Sequence, residues 1–152
     1  MTQRGNSSND GTILVVDDHR LVCEGIRGML EAVGFSVLTA ESGRAGVTLF
    51  RGHASAIRAV LLDLRLPGEN ASEVFDAMRH IRPDVPIILI TGTPEAIARQ
   101  ELARPGLSGF LQKPFDVPTA LRILRESLQK APPARDTEGP PAGRKAAEDR
   151  QA

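Results

Sequence analysis

The sequence has no tryptophan and no tyrosine, and its aromatics are five phenylalanines. Proteins that hold single-stranded nucleic acid stack bases on aromatic side chains, so such a platform has almost nothing to be built from. Net charge is also lacking, because 19 Lys and Arg balance 19 Asp and Glu. No global positive field therefore draws the chain onto nucleic acid or an anionic membrane. The lone cysteine, Cys23, excludes an intrachain disulfide and a Cys-cluster metal site. The longest aliphatic blocks, Val60 to Leu62 and Ile87 to Ile90, fall far short of the ~18 apolar residues of a membrane helix. Residues 1–11 are polar, carry a single Arg and contain no apolar stretch of the kind a secretory signal needs. The expected setting is cytoplasmic, with neither nucleic acid nor membrane as partner.

What is present fits one domain, since 152 residues can bury a full core without metal or disulfide staples. Residues 131–152 hold no Leu, Ile, Val, Met or Phe, include four prolines, and mix four basic with four acidic residues. Such a stretch cannot offset its ordering entropy, so a disordered C-terminal tail is expected, and residues 1–11 read the same way. Residues 12–130 remain as the folded unit. Short aliphatic runs alternate there with segments of helical period. Thr12 to Val16, Phe35 to Ala40, Ala59 to Asp63, Ile87 to Ile90 and Ser108 to Leu111 read as strands. The first helix, with Leu21, Ile26, Leu30 and Val33 on its apolar face, stops at Gly34. Ser42 caps a helix running to about Arg51, another runs from Ser72 to Ile81, Thr93-Pro94 opens a fourth, and Asp116 caps the last. Five β/α units whose strands are apolar on both faces predict an α/β fold, a parallel sheet sandwiched by helices. Its ligands belong at the carboxyl ends of the strands, where the strand order reverses.

Asp17 and Asp18 stand at the end of the first strand, Asp63 at the third, Thr91 at the fourth, and Lys113-Pro114 follows the fifth. Three carboxylates, a hydroxyl and an ammonium thus meet on one edge. Crowded carboxylates repel, and a bound cation relieves them. An all-oxygen cluster with few protein ligands suits Mg²⁺ before Zn²⁺. An aspartate can accept a phosphoryl group as an acyl phosphate, with an ammonium and a hydroxyl for the transferring oxygens. Asp63 would be that nucleophile, with Lys113 and Thr91 as its helpers. The arrangement requires the three acids to share one pocket under Lys113, with Asp63 open to solvent. His19, His53 and His80 lie in separate segments without ligand spacing and read as surface residues. Cys23 reads as a small core residue, and Phe35, Phe50, Phe75 and Phe115 read as core.

Ile13-Leu-Val-Val-Asp-Asp18, Leu61-Leu-Asp63-Leu-Arg-Leu-Pro67, Thr91-Gly92 and Gly109-Phe-Leu-Gln-Lys-Pro-Phe115 together resemble the receiver domain of bacterial two-component response regulators, over residues 12–130. The resemblance implies a doubly wound (βα)5 sandwich with strand order 2-1-3-4-5, an order the receiver of the chemotaxis regulator exemplifies. It implies that Asp63 is the phosphoacceptor and that Asp18, Asp63 and the main-chain oxygen of Arg65 hold Mg²⁺, with Asp17 acting through water. Thr91 and Phe110 match the switch pair, Lys113 the lysine on the phosphoryl oxygens, and Lys113-Pro114 the bond the family keeps cis. The implied partners are a sensor histidine kinase or a histidine phosphotransfer domain, with an unknown downstream effector. The chain itself would be a monomer or weak homodimer. It would be a signalling module rather than a conventional enzyme, catalysing at most its own phosphorylation and dephosphorylation.

Arg65 departs from the family, which often has Met there. Its guanidinium is expected over the mouth of the site, where it would pair with the phosphoryl group or block water and slow hydrolysis. A solvated arginine without kinetic effect is the alternative. Two settings fit the chain, a stand-alone regulator or the C-terminal receiver of a hybrid histidine kinase. The rivals in function are a receiver-like binding module that is never phosphorylated and a phosphatase of the haloacid dehalogenase type. The latter places its nucleophile in an Asp-x-Asp motif after the first strand, whereas here those acids are adjacent.

Overall fold

The computed structural model describes residues 10–130; residues 1–9 of the tail expected over 1–11, and the whole tail expected over 131–152, lie outside the described residues. Five strands alternate with five helices: β1 (Thr12–Val16), α1 (Arg20–Glu31), β2 (Ser36–Ala40), α2 (Gly43–His53), β3 (Ile57–Asp63), α3 (Ala71–Ile81), β4 (Ile87–Thr91), α4 (Glu95–Leu102), β5 (Gly109–Gln112) and α5 (Val117–Lys130). All pairings are parallel and the sheet order is β2-β1-β3-β4-β5. Residues of even and odd parity along each strand feed opposite faces, which is why the strands must be apolar throughout. Leu14, Val16, Val60, Leu62, Ile87 and Leu89 join Phe50, Phe75 and Met78 in one layer. Ile13, Val15, Leu61, Ile88 and Ile90 join Cys23, Ile26, Leu30 and Leu124 in the other.

Local chemistry places the element ends. Gly34 takes a left-handed φ of 106° that few side chains tolerate, and the Phe35 amide closes back on the Leu30 carbonyl at 3.1 Å, ending α1. Ser42 Oγ accepts from the Ala45 amide at 3.0 Å, and Asp116 Oδ1 from the Thr119 amide at 2.8 Å, as N-caps. Thr93 does not cap α4; Pro94 holds the N-cap position and offers no side-chain acceptor. Leu21 also differs from expectation, being 80% exposed, because the stripe α1 turns inward is Cys23, Ile26 and Leu30. Asp10 and Gly11, counted with the N-terminal tail in the sequence, are tied down: the Asp10 amide donates to Gly34 O and Gly11 O accepts from the Ser36 amide, both at 2.9 Å.

The order reverses between β1 and β3, so their carboxyl ends open a crevice between the loops that follow. Asp17 and Asp63 are the first polar groups met on leaving the apolar strands.

Candidate functional site

Asp17 is fully buried beyond β1. Its Oδ2 accepts from Lys113 Nζ at 2.6 Å, and its Oδ1 accepts from the His19 amide at 2.9 Å. Burial pushes this carboxyl up, yet Lys113 together with the amide and imidazole of His19 outweighs that and holds it below its ordinary value. Asp63 sits in the reverse balance. Its Oδ1 accepts from the Arg65 amide at 3.2 Å, while Oδ2 accepts no hydrogen bond and lies 3.6 Å from Lys113 Nζ. Burial first, and then the charges of Asp17 and Asp18, push Asp63 above its ordinary value against the pull of Arg65 and Lys113. The two acids are thus driven apart, the better-paired one ionising more readily.

Asp63 is deeper than the sequence reading requires, at 2% exposed rather than open to solvent. The reason is physical: β3 lies inside the sheet, with β1 and β4 on either side, and Lys113, bonded to Asp17, stands 3.6 Å from Asp63 Oδ2. Thr91 is buried at the end of β4, its Oγ1 accepting from the Thr93 amide at 3.2 Å. Phe110 is half-buried against the layer containing Leu89 and Leu102. The Lys113–Pro114 peptide is cis.

The guanidinium of Arg65 is already partnered within the chain, with Nη2 2.9 Å from Glu101 Oε1 on α4 and 3.3 Å from Thr93 Oγ1. An exposed carboxylate within reach is a better partner than water at the pocket mouth.

His19 is a surface residue, as the sequence reading has it, yet its Nδ1 stands 3.0 Å from Asp17 Oδ1 and 3.3 Å from Asp18 Oδ1, a contact that reading does not include. One ligand atom each from Asp17, Asp18, His19 and Asp63 lies within 4.8 Å of all the others. Asp18 Oδ1 and Asp63 Oδ2 are buried there without a hydrogen-bond donor. Buried carboxylate oxygens left unpaired are costly unless a cation completes them, so the donor set fits a divalent ion. The available signal for His19 was its adjacency to the acid pair where the chain leaves β1.

The parallel order 2-1-3-4-5 and the acidic crevice at its switch point define a doubly wound fold with a cluster of acids at the carboxyl ends of its strands. Residues 13–125 match the response regulator receiver domain, and the chain belongs to that family. Among its relatives, the response regulator MprA of Mycolicibacterium vanbaalenii is 33% identical over 121 residues, 80% of this chain and 52% of that protein. The transcriptional regulatory protein GlrR of Escherichia coli is 28% identical over 127 residues, 82% of this chain and 28% of that protein. The chain thus spans about half or less of these two relatives. In structure it is similar to the chemotaxis protein CheY4 of Vibrio cholerae, with a TM-score of 0.70 and 25% identity, covering 77% of this chain and 98% of that one. It is likewise similar to the receiver domain of the hybrid histidine kinase CckA, with a TM-score of 0.66 and 26% identity, covering 78% and 100%. The protein is therefore a two-component receiver domain, a signalling module. No described helix is long and apolar enough to cross a membrane.

Proposed function

We propose that this receiver takes a phosphoryl group onto Asp63 from a phosphohistidine and changes its surface in response. The observation that carries this is Asp63 Oδ2, a buried carboxylate oxygen with no hydrogen-bond donor, facing an ammonium 3.6 Å away. An oxygen so placed accepts no hydrogen bond and keeps its lone pairs for an incoming phosphorus. It attacks phosphorus, the bond from phosphorus to the donor nitrogen breaks, and the electron pair stays with the donor imidazole. Lys113 then exchanges part of its hold on Asp17 for the new phosphoryl oxygens, and its flexible stem is the movable cover of the acid. Asp18, Asp63 and the main-chain oxygen of Arg65 would hold Mg²⁺ directly, and Asp17 through water. Bound there, Mg²⁺ supplies neutralisation of the phosphoryl charge.

Thr91 Oγ1 now satisfies only the Thr93 amide. Moved onto the phosphoryl group, it vacates space toward which the half-buried Phe110 ring turns, altering the face of α4, β5 and α5. The donor, a sensor histidine kinase or histidine phosphotransfer domain, meets the pocket beside an apolar depression of about 340 Å³ lined by Leu21, Val22, Met29, Pro114 and Phe115. The downstream effector reads the α4–β5–α5 face, and the chain works as a monomer or weak homodimer in the cytoplasm.

The depth of Asp63 favours a second reading, a receiver-shaped binding module that is never phosphorylated. Incubation with acetyl phosphate and Mg²⁺ separates the two by intact mass. Wild type gains one phosphoryl mass and Asp63→Asn gains none; no gain in wild type establishes the second reading.

A further inference from the structure

We infer that His19 is a fourth ligand of the cation pocket and makes it a mixed nitrogen–oxygen site that prefers divalent transition ions to Mg²⁺. The inference rests on reading Asp18 and Asp63 as holding a cation. Position carries it. The His19 amide is bonded to Asp17 Oδ1 at 2.9 Å, which fixes the residue at the rim, and Nδ1 then faces inward, 3.0 and 3.3 Å from two carboxylates. Both neighbours are pocket acids, and the remaining one, Asp63, is buried, has an unpartnered Oδ2 and gives one carboxylate oxygen to the same 4.8 Å group. Lys113 takes the other oxygen of Asp17, so imidazole and ammonium divide that carboxylate between them rather than compete for one atom.

In the metal-free protein the ring stands where a cation's charge is wanted. Once an ion enters, neutral Nδ1 is a borderline-soft donor beside hard oxygens. Such a donor adds little for Mg²⁺ and progressively more from Mn²⁺ to Ni²⁺ along the divalent series. His53 lacks this setting, its Nδ1 being 3.0 Å from the Leu49 carbonyl with no carboxylate partner.

The test is calorimetric titration of the full chain with MgCl₂ and NiCl₂ at about pH 8, where a free imidazole is neutral. His19→Asn and His19→Asp serve as variants. His19→Asn is expected to lose about ten-fold or more in Ni²⁺ affinity while Mg²⁺ affinity stays within about two-fold. His19→Asp, an all-oxygen set, is expected to keep Mg²⁺ and lose the Ni²⁺ preference. Saturating Mg²⁺ should compete with Ni²⁺ in wild type, and pulsed EPR of the Mn²⁺-loaded protein should show nitrogen coupling that His19→Asn lacks. Equal Ni²⁺ affinity in wild type and His19→Asn, or Ni²⁺ binding indifferent to Mg²⁺, overturns the role of His19 alone. Failure of Mg²⁺ to bind wild type removes the cation pocket and this inference together.

Discussion

Asp17, Asp63 and Thr91 end the three interior strands β1, β3 and β4 and are almost wholly buried, whereas Asp18, His19, Arg65 and Lys113 reach the same edge from loops and from edge strand β5, keeping part of their side chains in water. The interior strands fix their groups by sheet register, with apolar layers above and below, so the acids are desolvated and their repulsion is poorly screened. The outer set holds compensating charge on arms that can move. Rigid charge placement and movable charge balance are thus assigned to different parts of one pocket, as phosphoryl transfer onto a buried acid requires.

The strongest way to break this division is to remove the movable cation. Lys113→Met leaves Asp17 and Asp63 in place without their ammonium, and acetyl phosphate labelling should slow by about 100-fold or more, the scale of losing one transition-state donor. Timed intact-mass measurements check this, with circular dichroism to show that the fold persists. An unchanged rate would mean that the interior acids suffice and that Lys113 is only a cover.

Next in size is the repulsion itself. Asp63 is raised above its ordinary 3.8, so the folded state holds its proton more tightly than the unfolded chain does. Stability is therefore lost as pH rises from 3.8 through the folded value, and the penalty is complete above it. Asp63→Asn removes the penalty, so this variant should be more stable than wild type near neutrality. The gain should vanish in acid. Asp17 has the opposite sign, since its lowered value contributes stability present above 3.8 and lost as pH falls through the folded value. Urea denaturation across this range sharpens the contrast between the two interior acids.

A smaller effect tests how the outer set is anchored. Glu69, in the β3–α3 loop, accepts from the Gly43 and Arg44 amides at 2.6 and 2.8 Å, capping α2 with a carboxylate from another loop. The approach is close enough that a Cβ on Gly43 would collide with Val74. Glu69→Ala should cost about 1 kcal/mol, as loss of a helix cap does. Amide chemical shifts should also move along the loop that carries Arg65.

The same division explains what the sequence could tell. The interior strands were readable because each is an unbroken aliphatic run ending in a polar residue, and a parallel sheet needs that run and little else. The caps at Ser42 and Asp116 were readable because their chemistry is local. His19 was not, because its side chain gains a role only from the turn that brings Nδ1 back onto Asp17 and Asp18. Asp63 meets Lys113 from 50 residues away in sequence, a contact no local pattern announces. Leu21 was misplaced because it stands in the first turn of α1, off the stripe of Cys23, Ile26 and Leu30 that the helix buries.

Arg65 belongs with these long-range cases and gives the smallest effect. Its partners Thr93 and Glu101 lie 28 and 36 residues on, so its position could not be read locally. Because both members of the Arg65–Glu101 pair keep contact with water, Arg65→Met should change stability by less than about 1 kcal/mol, and by less still in high salt. Its kinetic effect should be conditional. While Glu101 holds the guanidinium, Arg65→Met should leave the phosphoryl half-life nearly unchanged. Glu101→Gln, which frees the guanidinium to reach the phosphoryl oxygens, should lengthen it. A half-life that shortens in Arg65→Met and ignores Glu101→Gln would mean that the phosphoryl group draws Arg65 off α4 unaided, making this arm part of the switch rather than a tether.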